Sequence, residues 1–494
     1  MIQFWDSINF KESELELKGD DTGEKPLYLY LTKDRKKLFS STEIQKLLDL
    51  KEVREDLKIS PLGISFFLQS GVIPPPFTIY ENLFVLNIGD RALVKKQGEN
   101  IEISFYHLFP YKNSLRKGRI PNEKFLLDLL FSAVKKRLKD GEIYLFQSLG
   151  KDSNTILLAL VEGGFAENLT CLTLSTGDRK DESEVAKKIA TKLGVRHQKL
   201  FIPKVLTVEH WQELEFYFRK ISLPCADGVS LAYPFYALQI DFKKSNIIDG
   251  SGVDIYFGHV PRPIEYKRQK IYPFFYFLRP LAEWLSTGNF LQKLCRTRAE
   301  MIGLIGFTYS DTQKIYPEAI PVYSYWKNEE LKRKNWDYFD IKADLWGTKA
   351  EYDLVIKKVR NFAEVYNANL ILPWTDKEVI NYVFHIDEKY LFDRKNFKNK
   401  LILRKILKEK LDLDADQLGK YSYGFDPYPL IKTSNKTKEI ILECPYWAKR
   451  HISKLLKKIE ILAEEGKNKL FRNLYVRLFL LSAFLTLNER VPKN

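Results

Sequence analysis

Two short loops hold the residues best suited to chemistry. The first, Ser148-Leu-Gly-Lys-Asp-Ser153, combines two hydroxyls, a glycine, a lysine and a carboxylate. The second, Asp249-Gly-Ser-Gly-Val-Asp254, sets two carboxylates around two glycines. A glycine- and hydroxyl-rich loop that opens a helix can hold a phosphate on backbone N–H groups alone. Asp152 would repel phosphate, yet it suits a site that grips Mg²⁺, which takes oxygen ligands and bridges phosphates. Asp254 is its natural partner carboxylate. Together the loops point to a nucleotide with magnesium, without the Walker A string that ends in Gly-Lys-Ser or Gly-Lys-Thr. For either loop alone a plainer account exists: a strand-to-helix turn in which Asp or Ser caps the helix. Two such loops in order on one sheet weigh against it.

Strands must present these loops. The apolar run Glu142–Phe146 precedes the first loop, and a helix over Asn154–Glu162 follows, closed by Gly163-Gly164. Leu169–Ser175 reads as the next strand. A helix with an acidic first turn begins at Asp181, carries Val185, Ile189 and Leu193 on one face, and stops at Gly194. A third strand, Asn246–Asp249, runs into the second loop. This alternation predicts an α/β fold, a doubly wound parallel sheet. Its ligands would bind at the carboxyl ends of the strands, where both loops lie.

The flanks have a different character. Residues 1–112 read as a small β-rich unit, with a strand over Pro26–Thr32, a helix from Ser41, and strands over Asn82–Lys96 and Ile101–Leu108. Residues 113–430 form the nucleotide domain, mainly helical from about residue 330, and residues 431–494 a helical extension. The aromatic, basic stretch Pro261–Trp284 either lines a substrate entrance or forms helical core with its lysines and arginines outside.

Composition fits a folded chain: 494 residues, 45% hydrophobic and 29% charged. No run of about 18 apolar residues predicts a membrane span. Leu478–Leu487 is the closest, and reads as a buried helix. Met1–Ser7 has neither a basic nor an apolar leader region, so no secretory signal is expected. Cys171, Cys225, Cys295 and Cys444 lie far apart, which argues against zinc and disulfide frameworks and fits a cytoplasmic compartment. The net charge of +15 is spread along the chain, and we expect no nucleic-acid partner.

The ordered motifs resemble the asparagine synthetase family. Ser148–Ser153 is similar to its SGGxDS pyrophosphate loop. Asp181-Glu182, Ala186, Ala190, Leu193-Gly194 and His197 resemble its DE…A…A…LG…H segment. Leu223-Pro224, Asp249–Gly258, Leu372–Asp376, Lys400–Arg404 and Gly424-Phe425 resemble, in order, its eP, SGEGxDExFGG, PFLD, KxxLR and RxKxGF elements. Gly23–Tyr28 and Leu38–Leu48 look like the second half of the family's glutaminase domain. That domain normally starts with a nucleophilic cysteine and has about a hundred further residues before this point. Here position 2 is Ile2 and the first cysteine is Cys171, so the resemblance implies a truncated unit without glutamine hydrolysis.

The resemblance implies adenylation of a substrate carboxylate by ATP, with pyrophosphate released, and then displacement of AMP by a nitrogen nucleophile. Ser148, Gly150, Lys151, Asp152 and Ser153 would cradle the pyrophosphate, and Asp152 and Asp254 would hold Mg²⁺. Leu174, Ser175 and Thr176 would form the adenine shelf, and Asp249 and Gly250 would contact the nucleotide. Three positions depart from the pattern: Ser251 and Ile255 replace the two acids of SGEGxDE, and Ser422 replaces the RxKxGF lysine. Ser251 remains a catalytic candidate, Lys420 a substitute lysine, and Glu351 the base for the amine unless it is a surface helix glutamate. His197 and His259 are open between packing and chemistry.

An amine borne by the substrate would explain both the absent cysteine and the changed acids, as in lasso-peptide cyclases, whose substrate is a peptide, or β-lactam synthetases. The alternatives are amidation with free ammonia or ammonia from a partner enzyme of a biosynthetic pathway, and, outside enzymes, a nucleotide-binding scaffold. A scaffold has no need of the Asp152–Asp254 pair.

Overall fold

The computed structural model describes residues 2–7, 14–175, 181–414, 425–465 and 468–492. At its centre lies a five-stranded sheet: β1 (Ile143–Phe146), β2 (Leu169–Ser175), β3 (Arg196–Phe201), β4 (Asn246–Ile248) and β5 (Asn369–Ile371), in the order β3-β2-β1-β4-β5 with every neighbouring pair parallel. Side chains alternate across it as the pleat requires. Leu145, Cys171, Ile248 and Ile371 face one apolar layer, with Leu130, Ile156, Leu160 and Trp374. Leu172, Leu174, Leu200 and Ile247 face the other, with Tyr233, Phe242 and Phe362. The doubly wound parallel sheet expected from the sequence is present.

Two strands escaped the sequence reading. β3 carries polar residues on both faces, Arg196 and Gln198 on one and Lys199 on the other, which hides its pattern as an edge strand. β5 has three residues and sits in a region read as helical. Helix α1 (Lys151–Glu162) starts three residues earlier than expected, with Gly150 as its N-cap, so Asp152 falls in its first turn.

The flanking β-rich unit holds an antiparallel four-stranded sheet (Gln3–Asp6, Lys37–Ser41, Leu27–Leu31, Leu83–Leu86 in spatial order) and a three-stranded one (Glu14–Lys18, Asp90–Gln97, Asn100–His107). Its apolar core continues without a break into the carboxyl-terminal helices: Tyr30, Phe66 and Phe67 belong to one cluster with Trp326, Leu474, Phe479 and Phe484. Helix Lys469–Leu487, 19 residues, is long and apolar enough to cross a bilayer by length and composition alone, but 67% of its apolar window is buried inside the protein.

A wide, π-helical stretch, Leu345–Ile356, lies between the β-rich unit and the central sheet. The β-rich unit braces it along its length. Asn87 Nδ2 donates to Thr348 O (2.9 Å), Lys349 Nζ to Pro75 O (3.0 Å) and the Ile73 N–H to Asp353 Oδ2 (3.0 Å), while the Tyr28 and Tyr352 hydroxyls meet at 3.2 Å. Such stretches are uncommon and cluster at functional sites.

Candidate active site

Strand order reverses between β1 and β4, and the two candidate loops leave the sheet side by side there. Ile143 pairs with Asn246 and Leu145 with Ile248, so the strands end level. Ligands of open parallel sheets bind at such a switch point. Gly250 permits the close contact: a Cβ on it would lie 3.2 Å from Ser153 N and 3.4 Å from Asp152 Cβ. Gly252 adopts φ +94°, a left-handed conformation that suits glycine.

The first loop is preformed by its own hydroxyls. The Gly150 N–H donates to Ser148 Oγ (3.0 Å), and the Ser148 N–H to Ser153 Oγ (3.2 Å). No side chain caps α1, so its first turn leaves backbone donors for an anion. The Leu149 N–H donates to Glu182 Oε2 at 3.1 Å, a carboxylate standing where a phosphate oxygen could sit. Burial pushes the Glu182 carboxyl above the usual range.

Asp152 and Asp254 converge on one cation. Lys400 Nζ lies 2.6 Å from Asp152 Oδ2 and 2.7 Å from Asp254 Oδ1. Lys400 is buried and has a left-handed backbone (φ +54°, ψ 44°) at the N-cap of helix α2 (Leu401–Leu411), a conformation uncommon outside glycine. Burial opposes its charge, but the two carboxylates outweigh burial and hold it protonated. One ammonium cannot serve both partners equally. Burial also opposes the charge on Asp254, yet Lys400 and His259 keep its carboxyl well below the usual range. Burial and Asp254 push the Asp152 carboxyl up in spite of Lys400. Asp152 Oδ1 is buried without a hydrogen-bond partner. The sequence reading singled out Lys400 only as a motif letter. Nothing local in the sequence marks it as a buried charge.

Glu351 is no surface glutamate. It is buried on the wide helix, and its Oε1 accepts the Gly252 N–H at 2.9 Å. Burial first, then Asp254, pushes its carboxyl up to about 8, and Oε2 has no partner. The structure thus brings Asp152, Asp254, Lys400 and Glu351 into one electrostatic cluster, from four segments remote in sequence.

Asp152, Asp254, Lys400 and His259 face a cavity of about 700 Å³, whose walls also include Gly71 and Val476 from the two ends of the chain. His259 stacks on Trp346 (5.1 Å) with Nδ1 3.5 Å from Asp254 Oδ2, and burial lowers its pKa. Among the described residues no group of three or more His, Cys, Asp or Glu could hold a metal. A magnesium bound with phosphates needs only one or two protein carboxylates. The shared cation position and the orphaned Asp152 oxygen fit that donor set.

The other candidates lie around this centre. Ser251 turns its hydroxyl to Asp249 Oδ1, which also accepts the Ser251 N–H at 2.9 Å; burial pushes the Asp249 carboxyl up. Leu174 lines a small apolar recess with Phe146, Leu172 and Tyr233, and the neighbouring Ser175 hydroxyl donates to Asp181. Lys151 opens α1, beside the cluster. Thr176 and Lys420 lie outside the described residues. His197 pairs with Thr173 Oγ1 (3.1 Å) on the sheet edge. Asp376 caps the helix Lys377–Phe384 and pairs with Lys136 and Arg137, a structural role.

With this geometry in place, the comparisons are specific. Residues 126–413 match the family described as asparagine synthase. A protein of Methanocaldococcus jannaschii named putative glutamine-hydrolysing asparagine synthetase 2 is 27% identical over 180 residues, an alignment that covers 36% of this chain and 34% of that protein. The matched stretch thus spans about a third of the relative's length.

Proposed function

The chain belongs to the asparagine synthase family, and from that premise we propose that it is an ATP-consuming, amide-forming ligase. The observation that carries this reading is the Asp152–Lys400–Asp254 clamp beside an uncapped helix N-terminus, both at the switch point of a parallel sheet. ATP would lie with its phosphates against Ser148–Ser153 and its base toward Leu174. Asp152 and Asp254 would hold Mg²⁺, which when bound supplies charge for a departing pyrophosphate. Lys400 meets the same developing charge from the protein side.

The finer step follows from Glu351. A carboxyl pushed up to about 8 can accept a proton from an attacking amine near neutral pH. All four cysteines are buried and unpaired, and burial pushes each of their thiols up, away from the reactive thiolate. None of these four thiols is therefore poised as a glutamine-hydrolysing nucleophile. The nitrogen comes from an amine on the substrate itself, as in macrolactam or β-lactam closure, with partner-supplied ammonia as the second reading. The test is AMP and pyrophosphate release from ATP and Mg²⁺ with a panel of carboxylates: aspartate with ammonium, an amino diacid, and short Asp- or Glu-containing peptides. One active panel member identifies the branch. ATP binding without turnover on every member favours the nucleotide-binding scaffold, and no ATP binding removes both readings.

A further inference from the structure

The segment that follows the second loop is built inside out. Residues Pro263–Arg268, Tyr272–Leu278, Arg279–Trp284 and Phe290–Leu294 form helical turns on the surface. Their inward side is ionic. Buried Glu265 accepts from Lys342 Nζ (2.6 Å) and the Tyr338 hydroxyl (2.9 Å), and buried Arg279 sits between Glu283 (2.8 Å) and Glu300 (2.6 Å). Their outward side is apolar: Phe274 is 78% exposed, Phe277 74%, Phe290 74% and Trp284 65%, with Ile264, Ile271 and Leu281 about half exposed. The expectation that lysines and arginines would cover an aromatic core is therefore reversed over this stretch.

Phe274, Phe277, Leu281 and Trp284 recur at three- and four-residue steps along the continuous helical run Tyr272–Trp284, which puts them in one stripe. The exposed charges within residues 262–294 are all positive: Arg262, Lys267, Arg268, Lys270 and Lys293. The only acids between residues 262 and 294 are Glu265 and Glu283, and both are buried. An exposed apolar stripe of this kind marks a contact surface. What selects the partner is charge: the flank offers five exposed cations and no exposed acid, so its complement is an anionic surface. An anionic lipid surface requires only what is present: rings that enter the acyl boundary and cations that meet headgroup phosphates.

We infer that the Phe274–Phe277–Leu281–Trp284 stripe, with its lysine and arginine flank, seats the protein on the face of an anionic membrane. The seat is peripheral, since the chain's long apolar helix, Lys469–Leu487, is packed in the core. It is independent of the ligase reading, though Arg262 and Glu265 also line the cavity, so the seated face adjoins the proposed active site.

The test is co-sedimentation of the full chain with vesicles of phosphatidylcholine alone or mixed with phosphatidylglycerol. The expected result is at least about tenfold more binding to the mixed vesicles, weakened by salt. The triple variant Phe274→Ser, Phe277→Ser, Trp284→Ser should lower the bound-to-free ratio at least about tenfold. Its melting temperature should be unchanged, because the replaced side chains are exposed. Lys267→Glu with Lys270→Glu should remove the preference for phosphatidylglycerol. No binding to the mixed vesicles, or undiminished binding by the triple variant, overturns the inference. So does a wild-type dimer that the triple variant dissolves without any vesicle binding, which would assign the stripe to self-association.

Discussion

Two buried charge clusters hang on one helical run, and they are built differently. At its start, Asp344 accepts from His107 Nε2 (2.7 Å) and Arg333 Nε (2.6 Å). His107 Nδ1 meets Asp90 Oδ1 (2.7 Å), and Glu329 takes Arg333 and Lys332 on its two oxygens. Three carboxylates face four cationic side chains, Lys349 acting on Glu329 as well, and each carboxylate uses both oxygens, Asp90 Oδ2 accepting from the Asn87 N–H. Two turns on, Glu351 joins Asp152 and Asp254 around the single ammonium of Lys400, with oxygens left over. A closed network fixes structure. An open one with surplus negative charge beside a cavity leaves room for a ligand to complete it.

The sharpest way to break this contrast is to remove one acid from each. Asp254→Asn and Asp152→Asn should each cut AMP formation by about a thousandfold and leave the melting temperature equal or higher, since they reduce unbalanced charge. If either variant unfolds instead, the open cluster is structural. Arg333→Met should do the reverse. It strands buried Asp344 without its main partner and weakens the pairing of Glu329, and should cost about 3–5 kcal/mol in denaturant unfolding; a loss below about 1 kcal/mol would remove the distinction.

pH separates the clusters further. His107 is pushed up to about 9 from an ordinary 6.5, because Asp344 and Asp90 outweigh the burial that opposes its charge. Its stabilising contribution is full below 6.5 and is lost as pH rises through about 9. His107→Gln should therefore be less stable than wild type at pH 6, with the gap closing toward pH 9. Glu351 is pushed from 4.5 up to about 8 by burial and Asp254. Between those values the native state keeps a proton that the unfolded chain has lost, so stability falls as pH rises. Glu351→Gln should match wild type near pH 4.5 and become the more stable protein by pH 8. Parallel curves for the two variants would erase the comparison. If Glu351 is the base, the same substitution should also remove the acidic limb of any turnover profile, the rise in rate with pH through an apparent pKa near 8.

Much of the sheet and half of the site were legible in the sequence. β1, β2 and β4 are apolar runs cut off by glycine loops, and the loops carry Asp152 and Asp254 in order. The rest depends on long-range placement. Lys400 and Glu351 come from helices with no local pattern that tells a buried charge from a solvated one, and only the tertiary fold sets them against the loops. β5 is too short for periodicity to register. The aromatic segment misled for the opposite reason: its periodicity is clear, but periodicity gives a stripe and not the direction in which it faces.

The smallest effect expected is at Ser251, where the family pattern changes most visibly. Its hydroxyl and its N–H both reach Asp249 Oδ1, so the side chain closes an Asx turn at the root of the second loop. Ser251→Ala keeps the backbone half of that turn. It should cost no more than about 1 kcal/mol of stability and lower AMP formation only about threefold, by loosening Asp249. A loss near that of Asp254→Asn would mean that the hydroxyl touches the reacting groups, and the open cluster would then extend across Gly252 to include it.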